Sequence, residues 1–174
     1  MKIPSAFLLA STLAAAGCGG SDTNALTGSQ SCTLTLSGAI SATAACQAVG
    51  AYSSGSGQLG FTISLKGTPT GLQSFGFAVD LPGLSLSAAT FNNGNATKAG
   101  TALVGTAATQ AWAQLYNQGG ADQGAWSLTL SSTGNELDSG NDRAWIAPHG
   151  SYTATLAPVA GGGATGNVTA TATF

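Results

Sequence analysis

Few side chains in this chain are suited to chemistry. There is one histidine, His149, in the stretch Pro148-His149-Gly150-Ser151. A serine–histidine–aspartate relay would set it beside one of the serines and Asp138 or Asp142, because a hydroxyl is a weak nucleophile until a base takes its proton. No Gly-x-Ser-x-Gly elbow offers such a serine. A hydrolytic zinc site needs about three ligands from His, Cys, Asp or Glu, and a lone histidine makes that set hard to assemble. Beside a glycine, His149 reads as a surface turn residue. The chain is expected to have no enzymatic activity.

The densest oxygen-bearing stretch is Asn135-Glu136-Leu137-Asp138-Ser139-Gly140-Asn141-Asp142, with three of the six acidic residues. Glu136, Asp138, Asn141 and Asp142 are candidate calcium ligands, since that ion takes about 6–8 oxygens. Their spacing does not follow the EF-hand pattern, and a solvated loop is the competing reading. Apart from a structural calcium here, no cofactor is expected. Trp112, Trp126 and Trp145, with Tyr52, Tyr116 and Tyr152, could include a platform that stacks on a sugar ring. Trp126 runs in phase with Leu128 and Leu130 and belongs to the core. Trp145, in Arg143-Ala144-Trp145-Ile146, is the candidate for an exposed, ligand-binding indole.

Charge excludes other classes of partner. Charged residues make up 6% of the chain, against about 25% in a typical domain. Hydrophobic residues are 43%, so the sequence lacks the low-hydrophobicity, high-charge profile of a disordered chain. Of the four basic residues Lys2 sits at the extreme N-terminus; the others, Lys66, Lys98 and Arg143, form no cluster. Nucleic acid therefore has no electrostatic footprint to bind, and charge gives no grip on anionic lipid.

The N-terminus addresses the chain. Lys2 precedes an apolar run from Ile3 to Ala16, and the run ends in Ala15-Ala16-Gly17-Cys18. A spanning helix needs roughly 20 apolar residues, so this stretch is too short to be one. It resembles a bacterial lipoprotein signal with its lipobox. The resemblance covers residues 1–18 only, and it departs from the usual pattern at Ala15, where a leucine is customary. It implies removal of residues 1–17, a diacylglycerol on the Cys18 thiol and acylation of the freed amine. Several acyl chains, at about 0.8 kcal/mol per buried methylene, hold a protein where one would not. Gly19, rather than an aspartate, favours the outer membrane by the sorting rule of enterobacterial lipoproteins. Residues 18–31 are small and polar and read as a tether; residues 32–174 are expected to form one domain.

With Cys18 acylated, Cys32 and Cys46 remain of the three cysteines, and an exported chain usually pairs such thiols. Alternation gives the pairing a geometry. Cys32–Ser37 and Ser41–Cys46 both alternate polar with apolar or small residues, as half-buried strands do. Folded about Ala39, Leu36 meets Ala42, Leu34 meets Ala44 and Cys32 meets Cys46. Directly opposed antiparallel residues approach disulfide geometry.

Further alternating runs cover Gln58–Lys66, Gln73–Leu81, Leu84–Phe91 more weakly, Ala125–Ser131, Ser151–Ala157 and Gly166–Phe174. Residues 107–118 fit a helix or a strand, and the alternation of Trp112, Gln114 and Tyr116 favours a strand. Thr-Ala-Thr recurs in the last two runs. Many short alternating strands with glycine-rich turns predict an antiparallel β-sandwich of about 8–10 short strands. The terminal Phe174, after alternating apolar residues, resembles the last strand of outer-membrane β-barrels, but these strands are mostly shorter than the roughly 9–11 residues such barrels use. The expected protein is a lipid-anchored module of the cell envelope, structural or interacting with an envelope protein; a small-molecule or glycan binder is the alternative.

Overall fold

The computed structural model describes residues 28–53, 58–67, 69, 71–82, 89–92, 98–105, 110–116, 124–132, 135–139, 142–146, 149–161 and 163–174. Cys18 and the rest of residues 1–27, Asn141, and most of the weak candidate strand at 84–91 lie outside them. The described chain contains twelve strands: β1 (Gly28–Gly38), β2 (Ala42–Ser53), β3 (Gln58–Leu65), β4 (Leu72–Pro82), β5 (Ala89–Asn92), β6 (Lys98–Gly105), β7 (Ala111–Tyr116), β8 (Trp126–Ser132), β9 (Asn135–Ser139), β10 (Asp142–Ile146), β11 (His149–Pro158) and β12 (Val168–Thr173). β1 takes up Gly28–Ser31, which composition alone assigns to the tether.

All pairings are antiparallel. The all-β antiparallel expectation holds, but the two separate sheets of a sandwich are replaced by a ring. Hydrogen bonding runs β1-β12-β11-β7-β6-β4-β3-β2, and β2 pairs back onto β1, closing an eight-strand barrel. Alternation shows which face of a strand is buried, not how sheet edges meet, and closure removes the edges that a sandwich leaves open. Two long strands carry the additions. β2 pairs β3 through Cys46–Val49 and then β10 through Gly50–Ser53, which brings in the β9–β10 hairpin. On one edge, β11 pairs β8 through His149–Ala154 and β7 through Ala157–Pro158, and β8 carries β5.

The first hairpin has the expected register: Leu36 pairs with Ala42, Leu34 with Ala44 and Cys32 with Cys46. Gly38 lies at its tip with φ 100°, a left-handed conformation that suits glycine, and a Cβ there would strike the carbonyl oxygen of Asn167. β12 packs along the other edge of β1, pairing Leu34 with Ala172 and Leu36 with Ala170.

The interior is filled. Small residues of β2 and β12 (Ala44, Ala48, Ala170, Ala172) and the large ones of β3, β4, β8 and β11 (Phe61, Phe77, Trp126, Tyr152) are all buried. The Phe77 ring lies 4.3 Å from that of Tyr152 and 5.5 Å from that of Trp126, and Phe61 lies 5.4 Å from Phe174. Mixing small and large inward residues is how small barrels fill their taper. This apolar interior is the reverse of a transmembrane barrel, whose apolar side faces lipid.

Candidate functional site

Two arrangements stand out, one inside the barrel and one on its wall. The inner one is polar. β6 places Thr101 inward, β7 places Gln114, and β11 places Tyr152; their exposures are 1%, 0% and 1%. The Thr101 hydroxyl donates to Gln114 Oε1 at 3.3 Å and lies 2.5 Å from Tyr152 Oη. An amide oxygen only accepts, so the single Thr101 proton is committed to Gln114 and the Tyr152 hydroxyl donates to Thr101. Burial pushes the Tyr152 phenol far above its ordinary pKa. At the far end of this relay, Gln114 Nε2 is buried with no hydrogen-bond partner, and so is Trp126 Nε1. Trp112, by contrast, donates its indole N–H to the carbonyl of Gly166 at 2.9 Å.

Gly124 makes room for Gln114. A Cβ at Gly124 would lie 3.2 Å from Gln114 Cγ and would strike the Thr155 carbonyl oxygen. Its φ of 78° also favours glycine. Here β11 passes from β8 to β7, and Thr155 N–H donates to the Ala125 carbonyl at 2.9 Å. Two orphaned donors are a cost, about 1–3 kcal/mol each where no water reaches them. The relay of Thr101, Gln114 and Tyr152 holds no base that could take the proton from its hydroxyl or its phenol, each a weak nucleophile until deprotonated.

The outer arrangement is a grid. On the wall formed by β1, β12 and β11, three successive rows of outward positions are hydroxyl residues, and β11 continues beyond them to the exposed His149 at one end and Ala157 at the other. Thr33, Thr173 and Ser151 stand in one row; Thr35, Thr171 and Thr153 in the next; Ser37, Thr169 and Thr155 in the third. Thr169, Thr171 and Thr155 are half-buried by their neighbours and the others are exposed. The two upper rows continue onto β8 as Thr129 and Ser127, and Thr129 Oγ1 lies 3.1 Å from Thr90 Oγ1 on β5. The alternate positions of the same strands are buried: Leu34 and Leu36, Val168, Ala170 and Ala172, and Tyr152, Ala154 and Leu156. The grid contains no charged and no aromatic residue. The signal in the sequence was the repeat of Thr-x-Thr and Ser-x-Thr; its registry across three strands was not legible there.

The other candidates fall as follows. Cys32 and Cys46 form a disulfide inside the barrel, with Cα atoms 4.7 Å apart. His149 is exposed at the start of β11, and its backbone carbonyl accepts from Ser131 Oγ at 3.1 Å. Glu136, Asp138 and Asp142 belong to a β-hairpin where a loop was the alternative: Asp138 stands opposite Arg143, and Asp142 opposite Ser139. Glu136 and Asp138 therefore share one parity along the hairpin, and Asp142 takes the other. Among the described residues, no group of three or more His, Cys, Asp and Glu is placed to hold a metal ion. Trp145 lies on β10 between Gly50 of β2 and Glu136 of β9; its side chain is outside the described part. The described aromatic side chains, among them Phe75, Phe91, Trp112, Trp126 and Tyr152, are buried.

Neither known protein families nor curated proteins nor solved structures give a match to this chain.

Proposed function

We propose that this chain is a non-enzymatic interaction module of the cell envelope, held to the membrane, by resemblance the outer one, through acylated Cys18, and that it meets its partner through the hydroxyl grid of β1, β12 and β11. The grid is the observation that carries the reading. The barrel interior is occupied by its own side chains, so contact with a partner falls to the outside. There the hydroxyl grid forms an ordered, uncharged surface that extends across three strands. The lipobox-like Ala15-Ala16-Gly17-Cys18 supplies the anchor, and a disulfide buried in the first hairpin suits an exported chain. Residues 19–27 lie between the anchor and β1 and give the barrel reach from the lipid.

The test is fractionation of cells expressing the full chain or its Cys18→Ser variant. The native chain is expected in the membrane fraction, extractable by detergent, and the variant in the soluble fraction. Equal membrane association of both would remove the anchor from this reading.

A further inference from the structure

We draw no further inference here: the strongest candidate, the pair of buried donors Gln114 Nε2 and Trp126 Nε1 inside the barrel near the point where β11 passes from β8 to β7, belongs to the polar arrangement already described, and nothing among the described residues shows what would accept from them.

Discussion

Breaking the Cys32–Cys46 bridge should cost about 3 kcal/mol and leave the barrel closed. The bridge joins residues 14 apart in sequence, and in the chain-entropy model a closed loop of about 15 residues restricts the unfolded chain by roughly that amount. The native side adds little: β1 is hydrogen-bonded to β2 through nine register pairs and to β12 through six, and those ladders do not need the bridge. Reduction keeps both sulfurs in place, whereas Cys32→Ala/Cys46→Ala also empties two buried positions with exposures of 7% and 0%, so the double variant should lose about 1–2 kcal/mol more. Because the bridge is buried, reductant is added in urea and the protein refolded with it. Urea unfolding followed by fluorescence then gives both midpoint and slope, and the slope should rise in the reduced form as its unfolded chain expands. For a domain of this size 3 kcal/mol corresponds to a melting temperature lower by about 6–12 °C. An unchanged midpoint would refute the cross-link as a constraint on the unfolded state. A reduced chain unable to refold would show that closure of the ring depends on the bridge rather than on the ladders.

Gly150→Ala should destabilise by more than about 2 kcal/mol in the same assay, since its Cβ would strike the Thr129 carbonyl oxygen and lie 3.1 Å from the Phe174 ring, at a point where the register already shifts. Gln114→Met removes one buried donor that has no partner and leaves another, the Thr101 proton, without its acceptor; a change within about 1 kcal/mol of zero is expected, and a loss above about 3 kcal/mol would mean that Nε2 is bonded to a buried water. The raised Tyr152 pKa keeps the phenol neutral in the folded state, so the stability it reflects is complete below the unfolded value of about 10 and is lost as pH rises above it; absorbance titration should find Tyr152 ionising only with unfolding, and Tyr152→Phe should remove that share of the alkaline loss. Millimolar calcium should leave the melting temperature unchanged if the carboxylates of residues 135–142 are only solvated, and a rise abolished by Asp138→Ala would establish the set Glu136, Asp138, Asn141 and Asp142 as a metal site.

What was legible beforehand depended on alternation. The first hairpin was readable down to its register because Leu34, Leu36 and both cysteines share one parity and leave a single way to fold. β3, β4, β8, β11 and β12 carried the same signal, as did the strand reading of residues 111–116. β6 was missed because its inward positions are Thr101, Leu103 and Gly105, a mixture that shows no apolar period. β9 and β10 were missed because their acidic residues read as a solvated loop. Ring closure was beyond reach for another reason: it depends on β1 having two partners, β2 next to it in the chain and β12 at the far end, and a face pattern does not encode which edges meet. The polar relay was invisible because Thr101, Gln114 and Tyr152 come from three strands. The grid was half legible, as Thr-Ala-Thr in the last two strands, and became a surface once β1 was placed beside them.

Tandem mass spectrometry of the N-terminal peptide from membrane-extracted protein tests the central claim most directly. The chain should begin at Cys18, with a diacylglycerol on its sulfur and an acyl chain on its amine. A mature chain that begins elsewhere, or that carries Cys18 as a free thiol, would contradict the picture of a barrel tethered to the envelope by lipid.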